Sequence, residues 1–163
     1  MSILTKAKPL SAERDLELLK DAESYAYCTV EETQLIAHCF FPQGHQTADS
    51  RPAIIFFHGG MWDVSMATQF APHAMHFASR GMVAVIVQYR VSSVSNATAE
   101  DAIEDAENAM LWLKNNHTEL GLDPKRITAA GAASGALMAL MLDMNKDRVA
   151  SGPEAHRPGG GSG

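Results

Sequence analysis

Two glycine-containing turns constrain this chain more than any other feature of its sequence. Residues 58–62 read His-Gly-Gly-Met-Trp and directly follow the apolar run 53–57. Residues 131–135 read Gly-Ala-Ala-Ser-Gly and follow a second strand-like run, 126–130. A short apolar run bounded by turn residues is typical of a strand covered on both faces of a parallel sheet. The two turns therefore predict a sheet whose parallel strands end in tight loops.

The rest of the chain alternates strand and helix patterns around these turns. Residues 25–29 and 33–40 predict an antiparallel hairpin with Glu31 and Glu32 at its turn, and residues 82–87 predict another buried strand. Helices are predicted over residues 11–19, 70–79, 99–116 and 134–144. Strands that alternate with helices indicate an α/β fold with a mostly parallel sheet, here with an antiparallel N-terminal hairpin and flanking helices.

Composition divides the chain into three predicted parts and excludes several functions. Residues 1–22 are polar, residues 23–145 carry the α/β pattern of a partial domain, and residues 146–163 are a Gly/Pro-rich segment expected to be flexible. The net charge of −6, without a Lys/Arg block, argues against nucleic acid as a partner. No apolar run is long enough for a membrane span, and no signal peptide is visible, so a cytoplasmic location is the default expectation.

Other titratable side chains are given structural roles. Cys28 and Cys39 fit neither a disulfide framework nor a zinc pattern, and His73 and His76 lack a third ligand at suitable spacing. We therefore expect no metal and no other cofactor. Asp101 and Asp105, four residues apart on a predicted helix, are interpreted as a helix cap and as ion-pair partners of Arg90.

Further motifs lie between the two turns in a fixed order. They are Ser-Arg-Gly at 79–81, Gln-Tyr-Arg at 88–90 and Leu-Gly-Leu-Asp-Pro at 120–124. With the two turns, they make residues 53–142 resemble the esterase/lipase branch of the α/β-hydrolase superfamily, near its His-Gly-Gly-x-Trp acetylesterases and carbohydrate esterases. The resemblance implies the N-terminal part of an α/β-hydrolase fold and a serine esterase that acts on small acyl esters.

The resemblance assigns an oxyanion hole to the first turn. Acyl transfer places negative charge on a carbonyl oxygen, so preorganised N–H donors are needed there. Glycines allow a close backbone approach because no Cβ blocks the site. The assigned donors are the amides of Gly59, Gly60 and Ser134, although a tight turn after a strand also accounts for the two glycines.

The residues beside the glycines receive supporting roles from the same resemblance. His58 is expected to hold the loop rather than to act as a base. Met61 and Trp62 are expected to line the substrate pocket, with simple packing as the alternative for Trp62.

The second turn lacks the atom that the resemblance requires. In this superfamily Gly-x-Ser-x-Gly forms a sharp strand-to-helix turn that presents a nucleophilic serine. Gly131 and Gly135 bracket position 133, but the residue there is Ala133, which cannot form an acyl-enzyme. Ser134, itself flanked by two alanines, remains the alternative nucleophile if the pattern is shifted by one residue.

The sequence also offers no clear candidates for the acid and the base of a catalytic triad. They should follow the nucleophile on later strands. Residues 134–163 contain Asp143, Asp147, Glu154 and His156, but no further strand pattern to hold them. The sequence therefore predicts a truncated ester hydrolase, natural or engineered, that is inactive as written.

Two other functions stay open. A catalytically dead homologue would serve as a binding or interaction module. A dinucleotide-binding loop at Gly131 and Gly135 is disfavoured, because it belongs after the first strand of such a domain and needs a third glycine where Leu137 stands. The strand at 127–130 is predicted to have an open edge, which favours self-association, pairing with a complementing C-terminal half, or aggregation.

Overall fold

The computed structural model describes residues 4–5, 13–60 and 67–145. The strands are β1 (Glu23–Val30), β2 (Thr33–Phe40), β3 (Arg51–Phe57), β4 (Val83–Val87) and β5 (Leu122–Gly131). The helices are α1 (Glu13–Leu18), α2 (Ala71–Ser79), α3 (Ser92–Ser95), α4 (Ala99–Asn115), α5 (His117–Leu120) and α6 (Ser134–Met144), and a 3₁₀ turn covers Thr47–Asp49.

The described strands form one mixed sheet in the order β1-β2-β4-β3-β5. β3 is parallel to β4 on one side and to β5 on the other. The antiparallel β1–β2 hairpin joins the sheet through β2, which pairs antiparallel with β4. The predicted α/β class, the three adjacent parallel strands and the antiparallel hairpin outside them are confirmed.

Helices cover both faces of the parallel strands. Ile55 of β3 and Val85 of β4 are fully buried in a core that α4 and α6 complete with residues such as Leu113 and Met138. On the opposite face, alanines of α2 pack against Ile54 and the alternate residues of the same strands. Burial on both faces explains why these strands have continuous apolar sequences instead of alternating ones.

The start of α4 agrees with its sequence signals. Thr98 Oγ1 accepts from the Asp101 N–H at 3.2 Å, and the Asp101 carboxylate accepts from the Thr98 N–H at 2.9 Å, which forms a capping box. One turn further on, the fully buried Asp105 carboxylate accepts from Arg90 Nη2 at 2.8 Å and from the Arg90 N–H at 2.8 Å. This ion pair raises the pKa of Arg90 above its usual value and fixes the loop after β4 to α4.

β5 begins earlier than the predicted 127–130. It includes Pro124, and its pairing with β3 shifts between Arg51–Leu122 and Ala53–Ile127. Proline has no N–H to donate, so it is tolerated where a ladder is irregular. The predicted segment at 146–163, and residues 1–3 and 6–12 of the one at 1–22, lie outside the described residues, so these boundaries stay predictions.

The described residues include neither a membrane-spanning helix nor a cluster of metal-binding side chains. None of the helices found there combines the length and the apolar character needed to cross a bilayer. Within the same part of the chain, no three His, Cys, Asp or Glu side chains cluster closely enough to bind a metal ion.

Candidate active site

The two glycine turns meet at the carboxyl edge of the parallel strands. Phe57, the last residue of β3, pairs with Gly131, the last residue of β5. The Ala132 N–H then donates to Phe57 O at 3.4 Å. A Cβ placed on Gly59 would lie 3.7 Å from the Ala133 Cβ, so the loop after β3 and the turn after β5 are in contact.

Both glycines of the second turn lie so close to neighbouring backbone atoms that no side chain fits on either of them. A Cβ on Gly131 would lie 2.3 Å from the carbonyl carbon of Gly135. A Cβ on Gly135 would lie 2.1 Å from Phe57 O and 2.6 Å from His58 O. Real Cβ atoms do not approach other atoms so closely, so any larger residue would move α6 away from the end of β3.

Ala133 has a backbone conformation that is rare for a residue with a side chain. Its φ is 51° and its ψ is −117°, and it is the N-cap of α6. Such conformations cost about 1–3 kcal/mol and concentrate at functional sites. The Ala133 residue is exposed, whereas Ser134 and Gly135 beside it are buried. The turn therefore presents one side chain at its tip.

Two successive peptide groups of the first loop are held by side chains. The His58 carbonyl accepts from Tyr89 Oη at 2.6 Å, and the N–H of the same peptide, on Gly59, donates to Gln69 Oε1 at 2.8 Å. In the next peptide, the Gly59 carbonyl lies 2.6 Å from His58 Nδ1. The His58 ring is stacked on Tyr89, with ring centroids 4.1 Å apart and planes 9° apart.

The Gly59 N–H was expected to point into the oxyanion hole, and this expectation needs correction. Its bond to Gln69 Oε1 keeps it within the protein. The amides of Gly60 and Ser134 differ from it, because neither donates to any residue in the described part of the chain. Ser134 is the first residue of α6, where N–H groups point out of the helix end and favour negative charge.

Comparisons with known proteins agree with this fold. A family model described as BD-FAE matches residues 39–154, which is most of the chain. The chain belongs to the BD-FAE family. The native structure of esterase Est2 from the planctomycete Thermogutta terrifontis matches this BD-FAE chain with a TM-score of 0.73 and 38% sequence identity. The match covers 74% of this chain and 43% of that one.

Curated relatives also include esterases. Carboxylesterase NlhH of Mycobacterium tuberculosis is 33% identical over 101 residues, which cover 61% of the BD-FAE chain and 31% of NlhH. The neuroligin-like protein glit-1 of Caenorhabditis elegans is 33% identical over 114 residues, covering 66% of this chain and 15% of glit-1. The fold is that of the α/β-hydrolase esterases, and the chain spans less than half the length of each of these proteins.

The electrostatics of the BD-FAE site favour neutral rings around the loop. Burial lowers the pKa of His58, so its imidazole is neutral, and we assign the proton to Nδ1 because that atom faces the Gly59 carbonyl. Burial raises the pKa of Tyr89, which keeps its hydroxyl protonated as a donor to the His58 carbonyl. His58 thus contacts the loop through its Nδ1, and its role in holding the loop stays a prediction.

The remaining predicted site residues are distributed as follows. Met61 and Trp62 lie outside the described residues. Ser134 Oγ is buried, 3.5 Å from Tyr89 Oη, and faces the interior instead of the exposed tip, which disfavours Ser134 as a nucleophile. Asp101 and Asp105 both form ion pairs with Arg90, as predicted.

Sequence reasoning missed two residues of this site. Tyr89 belongs to the Gln-Tyr-Arg motif, which supported the family resemblance without indicating a contact with His58. Nothing in the sequence pointed to Gln69, because it belongs to no motif. Its bond to Gly59 depends on how the chain returns after the first turn.

Proposed function

We propose that this chain supplies the oxyanion side of a carboxylic-ester hydrolase site for small acyl esters, with Ala133 at the position of the nucleophile. The observation that carries the proposal is the conformation of Ala133, with φ 51° and ψ −117°, at an exposed tip beside the Gly59–Gly60 loop. A serine there would present its hydroxyl to a carbonyl carbon held at the same edge.

The two available amides suit the chemistry of acyl transfer. The Gly60 and Ser134 N–H groups would donate to the carbonyl oxygen, and the N-terminus of α6 adds a favourable field as negative charge develops. Donors fixed before the reaction need no reorganisation during it. Ala133 contributes only a methyl group, so no acyl-enzyme forms and the chain as written is proposed to be inactive.

The acid and the base of the triad are proposed to come from outside the described residues. His58 is buried beneath Tyr89 and its Nδ1 faces the Gly59 carbonyl, so it is not placed as a base for position 133. Asp105 is fully buried and bound to Arg90. Met61 and Trp62 keep their proposed place in the substrate pocket.

The proposed substrate class takes support from the structural neighbours. Structures of the Thermogutta terrifontis esterase are described with butyrate bound and with propionate bound, and the same enzyme is described as phosphorylated by paraoxon. Short carboxylates are the acid products of small acyl esters. We therefore propose a short acyl group as the ligand of the site in this chain.

The experiment measures binding and turnover separately. In an NMR titration with sodium butyrate, the Gly60 and Ser134 amide signals should shift together, while the Gly44 amide serves as an internal reference. Hydrolysis of p-nitrophenyl butyrate should stay at the buffer rate for the chain and rise little in Ala133→Ser, because triad members act as a unit. Turnover by the unaltered chain that disappears in Ser134→Ala would contradict the proposal and identify Ser134 as the nucleophile.

A binding or interaction module is the second candidate, and the missing oxygen at Ala133 favours it. The gene sequence beyond the codon for residue 163 distinguishes the two candidate functions. Further strands carrying an aspartate or glutamate and then a histidine support a hydrolase, whereas their absence supports a module that binds acyl groups without cleaving them.

A further inference from the structure

We propose that Gln69 and Tyr89 are positioning residues that clamp the peptide between His58 and Gly59, and so set the direction of the Gly60 N–H. The proposal deepens the function proposed above and rests on it, since the Gly60 N–H is one of the two oxyanion donors. Neither residue touches the acyl group; both act through the backbone of the loop.

The clamp acts on both ends of one planar group. Tyr89 Oη donates to the carbonyl oxygen of this peptide at 2.6 Å, and Gln69 Oε1 accepts from its N–H at 2.8 Å. In a trans peptide the C=O and N–H point in opposite directions. Contacts at both ends therefore prevent the plane from rotating about its neighbouring Cα atoms.

The next peptide is then oriented indirectly. Stacking on Tyr89 fixes the His58 ring, and His58 Nδ1 faces the Gly59 carbonyl at 2.6 Å. That carbonyl belongs to the same peptide plane as the Gly60 N–H, so this N–H must point away from His58. Gly60 has a φ of 124°, a conformation that glycine adopts without strain, and its N–H would rotate freely without these contacts.

Tyr89 also links this loop to the other half of the site. Its hydroxyl lies 3.5 Å from Ser134 Oγ, and Ser134 carries the second donor N–H. The Tyr89 hydroxyl, just after β4, thus contacts both the loop that follows β3 and the turn that follows β5. Gln69 is held from a different direction, because Thr68 Oγ1 beside it donates to Asp15 Oδ1 of α1 at 3.0 Å.

The test compares substitutions that remove one polar contact and keep the volume of the side chain. Gln69→Met removes the acceptor, whereas Gln69→Glu keeps an oxygen at the same reach. Tyr89→Phe removes the hydroxyl and keeps the ring. The matched control is Tyr25→Phe, because Tyr25 is also buried and its hydroxyl donates to the Glu23 carboxylate within β1, away from the loop.

The first readout needs no ligand. Amide hydrogen exchange of Gly59 should be about tenfold faster in Gln69→Met and nearly unchanged in Gln69→Glu, since only the first loses the acceptor. The Gly60 amide signal should shift in Gln69→Met and in Tyr89→Phe but not in Tyr25→Phe. Unchanged exchange in Gln69→Met, or an unchanged Gly60 signal in both variants, would overturn the clamp.

The second readout is the affinity for sodium butyrate. We expect Kd to rise about tenfold in Gln69→Met and Tyr89→Phe, equal to about 1.4 kcal/mol, and to stay within about twofold in Tyr25→Phe. Unchanged or tighter binding in the first two, or equal weakening in the control, would overturn the proposal. If butyrate shifts neither Gly60 nor Ser134 in the unaltered chain, the proposed function fails, while the exchange readout still decides whether the clamp exists.

Discussion

Gly135 of α6 lies against Phe57 of β3 so closely that a Cβ on the glycine would be 2.1 Å from the Phe57 carbonyl oxygen. The first turn of α6 therefore rests directly on the end of the middle strand of the three parallel ones. This contact brings the two glycine turns together, because Ser134 precedes Gly135 and His58 follows Phe57. The geometry of the whole site depends on the absence of one methyl group.

Gly135→Ala should lower the free energy of unfolding by about 3 kcal/mol or more, since α6 must move or the core must overpack. Urea denaturation measures the loss. Gly44→Ala is the matched control, because a Cβ on Gly44 meets nothing within 4 Å but its φ is 72°. That control should cost only about 1 kcal/mol, from backbone strain alone. Equal losses in the two variants would show that the contact with Phe57 is not tight.

Ala133→Gly should stabilise the chain by about 1 kcal/mol, against the usual effect of glycine. Ala133 has a positive φ of 51°, and glycine adopts such conformations without the strain that a Cβ causes. The control is Ala139→Gly in the interior of α6, which should destabilise by about 1 kcal/mol, as glycine does in other helix interiors. Thermal and urea unfolding of both variants measure the difference. Destabilisation by both substitutions would mean that position 133 is unstrained.

Stability should fall as the pH drops from about 6.5 to about 4, through His38. Burial lowers the pKa of His38 from 6.5 to about 4, and its Nδ1 lies 2.6 Å from Ser24 Oγ. Between these pH values the unfolded chain binds a proton that the folded protein does not, so unfolding is favoured by about 3 kcal/mol in total. Urea denaturation at pH 7, 5.5 and 4.5 measures the effect.

His38→Gln should remove most of this pH dependence. A smaller slope should persist from His58, whose pKa burial also lowers. If the variant and the unaltered chain lose stability in parallel as the pH falls, His38 is not the group responsible.

The chain should self-associate at micromolar concentration through β5 and α6. Among the described strands only β3 pairs with β5, so the second edge of β5 has no partner strand in the described part of the chain, and Leu140 of α6 is 56% exposed beside the exposed Leu137. An open edge with apolar neighbours is a template for pairing. Sedimentation should show species larger than a monomer, and Thr128→Lys on the edge of β5 should reduce them.

The control for association is Val94→Lys. Val94 is 79% exposed on α3 and lines a cavity with residues of β2, at the other side of the sheet from β5. This substitution should leave the sedimentation profile unchanged. A monomeric unaltered chain would show that the open edge is harmless.

The sheet could be predicted because its signals are local. Ile54, Ile55 and Phe56 form an uninterrupted apolar run, and Thr98 and Asp101 carry a capping box within four residues. The sharp turn at Ala133 was implied by the family resemblance of residues 131–135, in which Gly131 and Gly135 take the places of the two glycines of the pattern. Such features depend on neighbours in the chain.

The internal contacts of the site could not be predicted in the same way. The bond from Gly59 to Gln69 depends on the path of the chain between them, and Tyr89 reaches His58 only because β4 lies beside β3. The pattern His-Gly-Gly gives two glycines but does not say which N–H faces inward. That choice is made by side chains from other elements.

The position of β3 between β4 and β5 also fixes when the site can form during synthesis. β3 pairs with β4, which follows soon after it, but its other edge waits for β5 at residues 122–131. A nascent chain that has emerged only as far as α4 exposes that edge and has no second turn to meet His58. The site is therefore assembled late, when the ribosome has released β5 and α6, and shielding of the β3 edge is needed until then.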